Sequence, residues 1–195
     1  LQLAMLGKSP ETDELKDDVA EMEKMIEGYL TFARGEGDEE AIETDLSDIV
    51  DEVVAQWKRN GATIDAHVEG RLDAWCRPNA VKRCLDNLIA NANRYGTHVW
   101  IRAGKRGDVT EIAIDDDGPG IEQEAREAVF RPFYRLDQSR NPETGGTGLG
   151  LAICQRIIQS LGGTIEVSSQ LEVGTTFTIF LPAEESGAAR STTTA

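Results

Sequence analysis

The sequence predicts a two-layer α/β sandwich, a mixed sheet with helices on one face, preceded by an α-helical hairpin. Three observations carry that prediction. Between Asp45 and Pro182, short alternating apolar and polar segments are interleaved with longer segments of helical period. Ahead of them, Leu15, Val19, Met22, Ile26, Tyr29 and Ala33 recur at spacings of 4, 3, 4, 3 and 4, which is a heptad seam. The stretch between, "GEGDEEAIET", is acidic and contains glycine, and reads as a linker over 35–44.

Taken in order, residues 1–34 form the expected hairpin. "LQLAML" closes one helix and "GKSPETD" breaks it; Ser9 then caps the next, with Pro10 at its first position. Two helices this short bury little by themselves, so the seam predicts a partner chain, as a homodimer through this hairpin, with packing on the chain's own domain as the competing reading. Asp45 caps a further helix, with Asp48 three residues on and Leu46, Ile49, Val50, Val53, Val54 and Trp57 along one face. "ATIDAHV" and "RLDAWCR" alternate as two short strands. Pro78 begins a helix that runs to Tyr95. "HVWIRAG" and "VTEIAIDD" are strands joined by "KRGD", a hairpin signal. Residues 121–143 are charged and poorly periodic. A helix over Leu149–Leu161 ends at Gly162-Gly163, and "TIEVSS" and "TFTIFLP" make a last hairpin. Residues 45–182 are thus one α/β domain, and 183–195 read as a disordered tail.

Charge and composition exclude whole classes of function. The chain has 195 residues, 39 % hydrophobic, and a formal net charge of −15. Nucleic-acid binding needs a basic footprint, which is missing, and an anionic membrane surface would repel this chain. No apolar run approaches the ~20 residues a spanning helix needs, and no secretory signal is visible. Cys76, Cys84 and Cys154 fall in apolar, regular segments without metal-ligand spacing, which predicts reduced core thiols and a cytoplasmic protein. The chain opens on an apolar, helix-like stretch without an initiator Met, as a piece of a longer protein would.

Three local patterns carry chemistry. In "DDDGPGI", Asp116 stands at a strand end with Gly118 and Gly120 following; such an acid can accept a hydrogen bond from an exocyclic amine like that of adenine, and the glycines admit a flat ring. The same residues also make a respectable turn. "TGGTGLGL" (144–151) is half glycine and leads into a helix N-terminus, where free amides and the macrodipole favour anions. It lacks the lysine of a P-loop, and a flexible hinge is the competing reading. In "NLIANANRY", Asn87 and Asn91 lie four apart on one helical face, with Arg94 and Tyr95 one turn on. Their carbonyl oxygens suit a hard cation such as Mg²⁺ that keeps water and phosphate as its other ligands, although an isolated Asn pair is often only a helix surface. Val81, Leu85, Leu88 and Ala92 form the core stripe opposite. An adenine acceptor, a metal edge and a phosphate loop agree with one another. At −15, the chain can hold a polyphosphate only through Mg²⁺, backbone amides and a few cations, for which Arg94, Arg131, Arg135 and Arg140 are candidates.

These boxes, with "FRPFYR" between them in order and spacing, resemble the catalytic ATP-binding domain of bacterial sensor histidine kinases over residues 40–182. That domain has the Bergerat fold shared with gyrase-type, heat-shock and mismatch-repair ATPases. "LQLAML" and "FRPFYRLDQSRN" most resemble the EnvZ-like osmosensor subclass, and residues 1–34 resemble the end of the dimerisation and phosphotransfer hairpin. The resemblance implies that Asn91 ligates Mg²⁺ with Asn87 assisting, and that these two are the catalytic pair. It implies that Asp116 binds the adenine amine in a pocket shaped by Gly118 and Gly120, that Tyr95 packs along the base, and that Arg94 approaches the phosphates. Phe130 and Phe133 would anchor a lid over ATP, and Gly146, Gly148 and Gly150 would line the phosphate side. Ile121, Arg135, Thr147 and Leu149 complete the nucleotide-binding set by the same token.

The departures matter as much. Hydrolytic relatives carry a Glu four residues before the metal Asn, as base for water; here Asn87 stands there, which favours transfer to another nucleophile. The family's acceptor histidine lies in the first hairpin helix, whereas this chain has only His67 and His98, both in strand-like segments. The expectation is therefore a histidine kinase domain without its own acceptor, passing phosphate to a histidine and thence to a response regulator, as the cytoplasmic portion of an inner-membrane sensor. Two rivals stand beside it. One is a serine kinase of the anti-sigma-factor type, which the heptad hairpin disfavours. The other is a non-catalytic nucleotide-binding dimerisation module, which the intact boxes disfavour.

Overall fold

The computed structural model describes residues 39–136 and 147–183. The expected hairpin, Arg140, Gly146 and the tail beyond 183 lie outside the described residues.

The chain enters through strand β1 (Ile42–Asp45), in the stretch assigned to the linker. The sequence hid this strand because "IETD" is too short and too polar to show a buried face. It pairs antiparallel with β3 (Asp73–Cys76) as a two-stranded sheet, Ile42 opposite Cys76. Asp45 ends β1 and caps helix α1 (Leu46–Arg59): its carboxylate accepts the Ser47 amide at 3.0 Å and the Leu72 amide at 3.1 Å. One side chain thus closes a helix start and holds the strand that returns beside it.

The main sheet has five strands in the order β2-β4-β5-β7-β6. These are β2 (Ile64–Val68), β4 (Val99–Arg106), β5 (Val109–Asp116), β6 (Thr164–Gln170) and β7 (Gly174–Pro182). Only β2 and β4 run parallel, so the sheet is mixed as expected. The two short strands read from the sequence go to different sheets. Helix α2 (Pro78–Tyr95) lies between β2 and β4 in the chain, which is the crossover that their parallel pairing demands.

Alternation sorts the sheet's faces. Val99, Ile101, Ile112, Ile114, Phe177 and Ile179 are buried and face the helices α1, α2 and α3 (Gly150–Ser160). Trp100, Arg102 and Asp115 lie on the other face, so the sandwich has two layers. All three cysteines are buried and none is in a disulfide.

The described part of the charged, poorly periodic stretch, residues 121–136, carries local structure. Two 3₁₀ turns, Gln123–Ala125 and Ala128–Phe130, put Ala125, Val129 and Phe130 into the core, where Phe130 meets Phe177 edge-on at 6.1 Å. A three-residue turn carries its apolar positions too close together for helical periodicity to reveal.

Asp45→Ala should lower the stability of the chain by about 1–2 kcal/mol, the usual range for a lost N-cap, read as a drop in the urea midpoint at unchanged slope. A midpoint equal to that of the unsubstituted chain would show that the Ser47 and Leu72 amides find other partners.

Candidate functional site

The helix α2 is phased by its core. Val81, Cys84, Leu85, Leu88, Ile89 and Ala92 are each 2 % exposed or less. At 100° per residue, that stripe turns Asn87 and Asn91 onto a half-buried edge, with Arg94 and Tyr95 exposed at the helix end. The sheet and α3 fix this phase together. A methyl group built on Gly150, the first residue of α3, would lie 3.6 Å from Asn87 Oδ1, ordinary contact distance. The N-terminus of α3 therefore abuts the amide edge of α2.

The end of β5 comes to the same place. Gly118 is buried under the end of α2: a Cβ there would meet Asp116 Oδ1 at 2.7 Å and the Tyr95 carbonyl oxygen at 3.0 Å. Its amide donates to Asp116 Oδ1 at 2.9 Å. At Gly120 (φ +80°) a side chain would strike the Gln170 carbonyl oxygen at 2.4 Å. The loop is thus folded against the β6–β7 turn, with the Glu172 amide donating to the Pro119 carbonyl at 2.9 Å. Only glycine satisfies that backbone and that proximity together.

The three consecutive acids of this loop point in three directions and have different chemistry. Asp115 faces the outer side of the sheet, paired with Arg102 at 3.0 Å and accepting from the Thr176 hydroxyl at 2.6 Å. Asp117, past the strand end, accepts from the Thr97 hydroxyl and amide, each at 2.6 Å, and from the His98 amide at 2.9 Å. Those bonds hold its carboxyl down to about 2. Asp116 alone turns inward. Burial pushes its carboxyl above the usual range, against the lowering effect of the Gly118 and Thr175 amides, and Asp117 and Asp115 add to the rise. A carboxylate that has lost water and holds few donors is primed to accept a hydrogen from a ligand.

The glycine-rich segment is described from Thr147 onward. Leu149 precedes α3 and its side chain is buried; its amide donates to Thr147 Oγ1 at 3.4 Å. Gly148 (φ +67°) accepts from the Phe133 amide at 2.9 Å, and a Cβ there would come 2.8 Å from the Phe133 carbonyl carbon. Phe133 has a left-handed backbone (φ +64°) and a ring that is 55 % exposed; its main-chain contact to Gly148 holds this point, and Phe130 supplies a buried ring. Ile121 is also packed in the core, with its amide on Ser169 Oγ at 2.8 Å. Arg131 is exposed and Arg135 half-buried.

The sequence missed four residues that shape this site. Thr97 and Asp117 secure the loop, Ser169 supports it, and Gly174 lets the Asp116 carbonyl approach so closely that a Cβ would sit 1.9 Å away. Gly174 alone left a trace, as the glycine of a predicted hairpin turn.

The donor set suits a solvated hard cation. Among the described residues no group of three or more His, Cys, Asp or Glu could hold a metal. What the described residues offer at the edge of α2 is two neutral amide oxygens, so an ion seated there would bring oxygen ligands from water or phosphate, as Mg²⁺ does. An open depression of about 490 Å³ lined by Asp65, His67, Trp100, Arg102 and Asp115 lies on the outer sheet face, away from Asp116, and is no part of this site. His98, stacked on Trp100 and bonded to Asp65 at 2.9 Å, belongs to that face too. No helix among the described residues is long and apolar enough to cross a membrane.

Residues 76–185 match the family described as histidine kinase-, DNA gyrase B- and HSP90-like ATPase. Sensor histidine kinase CpxA of Escherichia coli is 32 % identical over 185 residues, 90 % of this chain and 40 % of that protein. Sensor protein IrlS of Burkholderia pseudomallei is 35 % identical over 175 residues, 86 % and 38 %. The NMR structure of the histidine kinase domain of the E. coli osmosensor EnvZ superposes with a TM-score of 0.59 at 32 % identity, covering 78 % of this chain and 95 % of that one. This chain spans about two fifths of the length of the curated relatives it matches.

A carboxyl-carbon NMR titration should find Asp117 titrating near 2 and Asp116 above 3.8. Asp117, being depressed, contributes stability that is present above 3.8 and lost as the pH falls through about 2. Thr97→Val should raise the Asp117 midpoint and leave Asp116 unmoved; equal midpoints for the two acids would contradict the assigned orientations.

Proposed function

We propose that this chain, which belongs to the histidine kinase-, DNA gyrase B- and HSP90-like ATPase family, is the MgATP-binding catalytic part of a two-component sensor histidine kinase. It would pass the γ-phosphoryl group to a histidine on a dimerisation helix and thence to an aspartate of a response regulator, at the cytoplasmic side of a membrane sensor. The observation that carries this reading is convergence. The inward carboxylate of Asp116, the amide edge of Asn87 and Asn91, and the start of α3 come from three distant parts of the chain and meet around the end of α2.

Each group then has work suited to its chemistry. Asp116 accepts the adenine amine, and Gly118 and Gly120 leave room for the ring. Asn91, with Asn87 beside it, holds Mg²⁺, which when bound neutralises phosphate charge and orients the transferring group. The backbone amides from Gly148 to Gly150 and the start of α3 receive the phosphates, with Thr147 close by. Tyr95 lies at the base and Arg94 and Arg135 supply positive charge around the phosphates. Asn87 cannot take a proton from water as a carboxylate would. The site therefore orients the phosphoryl group for a nucleophile that another helix brings, and catalysis rests on positioning and charge neutralisation. Homodimerisation through residues 1–34 would supply that helix.

Asn91→Ala should weaken MgATP binding by about 100-fold, about 2.7 kcal/mol, measured by calorimetry, with the melting temperature of the nucleotide-free chain unchanged. Unfolding on this substitution would make Asn91 structural and refute the metal edge. Because Asp116 must be ionised to accept the amine, affinity should fall as the pH drops toward its raised carboxyl range, with proton release on binding at the lower pH values. Affinity that is flat across that range would separate Asp116 from the adenine.

A further inference from the structure

The first turn of α2 has its hydrogen bonds settled from outside. Pro78 has no N–H to satisfy, and Val81 is the first residue to bond within the helix, donating to the Arg77 carbonyl at 3.0 Å. Between them stand the amides of Asn79 and Ala80. Arg77, at the cap position, makes no side-chain cap bond, and the first turn contains no acid of its own. Both amides are taken by one residue from far back in the chain. Glu39 Oε1 accepts the Asn79 amide at 2.8 Å and the Asn79 side-chain Nδ2 at 2.9 Å, and Glu39 Oε2 accepts the Ala80 amide at 3.2 Å. Ala80 is fully buried, so its amide has no ready substitute in water. A carboxylate is also the charge that the N-terminal end of a helix dipole favours.

We propose that Glu39 is a positioning residue for the nucleotide helix: its carboxylate is the cap that α2 lacks, and it fastens the incoming chain to the element that carries Asn87 and Asn91. This rests on the nucleotide reading given above. The location explains why the contact transmits force. Glu39 stands three residues ahead of β1, which is itself pinned to β3 and ends on the Asp45 cap of α1. Among the described residues, the chain arriving from the N-terminal side therefore meets α2 first. Ala80 and Asn91 lie on one continuous helix, about 16 Å apart along its axis, and a rigid helix carries a shift at its start to its far end. Asp116 belongs to β5, which β4 and β7 hold on either side, so the sheet rather than the start of α2 fixes the adenine acceptor. The cap thus bears on the metal edge of α2 more than on the adenine acceptor.

Glu39→Ala and Glu39→Gln in the 195-residue chain test this, compared at a temperature where each is folded by circular dichroism. Amide exchange at Asn79 and Ala80 should quicken about five- to tenfold in Glu39→Ala and less in Glu39→Gln, which keeps one acceptor oxygen. MgADP affinity, by calorimetry, should fall about fivefold in Glu39→Ala and less in Glu39→Gln, while adenosine affinity, by NMR titration, falls by a smaller factor. Equal loss for MgADP and adenosine would mean general loosening and overturn the proposal. So would quickened exchange with unchanged MgADP affinity, which would make the cap structural only, or unchanged exchange. Should Glu39→Ala fail to fold, the Gln variant carries the same comparison. Failure of the unsubstituted chain to bind MgADP would refute the nucleotide reading and the positioning role with it; binding that is equal in all variants overturns the positioning role alone.

Discussion

The rotational phase of one helix decides where the chemistry falls. Helix α2 must bury Val81, Cys84, Leu85, Leu88, Ile89 and Ala92 against the sheet and its neighbouring helices, and this leaves Asn87 and Asn91 no freedom to be elsewhere than on the open edge. Several contacts reinforce the phase. The Trp57 indole donates to Asp86 Oδ1 at 2.9 Å from α1, Cys154 of α3 packs on the Cys84 carbonyl, and Glu39 closes the helix start. A rotation of α2 by one residue would bury an unpaired carboxamide and expose a leucine, and both changes are unfavourable.

The second constraint is charge. A chain at −15 gains nothing from adding a triphosphate unless the local field is reversed. The site manages its own acids before it meets a ligand. Asp115 is neutralised by Arg102, Asp117 is absorbed by the Thr97 and His98 amides, and only Asp116 is left facing inward. Around the start of α3 and the amide edge of α2 the described chain places backbone amides and neutral carboxamides and no carboxylate ligand cluster. On the proposed reading, a metal-bound nucleotide would add its positive charge to that of Arg94 and Arg135.

Much of this was legible in the residues. The helix over 78–95, the strand–turn–strand over 99–116 and the last hairpin follow from periodicity and turn chemistry, and the observed boundaries agree closely. What escaped has physical reasons. Strand β1 is four residues long, half exposed and polar. The 3₁₀ turns at 123–130 bury side chains without a helical period. Of the acid triplet, the sequence marks Asp116 by its place before two glycines, while the roles of Asp115 and Asp117 depend on Arg102, Thr176 and Thr97, contacts that only folding creates. Glu39 is 40 residues from Asn79, and no local pattern connects them.

The central claim is that the end of β5, the edge of α2 and the start of α3 form a single nucleotide site with separable halves. Backbone NMR spectra of the chain titrated with adenosine and then with MgADP test it most directly. Adenosine should shift the amides of Gly118, Gly120 and their neighbours, and MgADP should add shifts at Asn87, Asn91 and Gly148 to Gly150. Shifts confined to the outer sheet face around Trp100, or no difference between the two ligands at α2 and α3, would contradict the account.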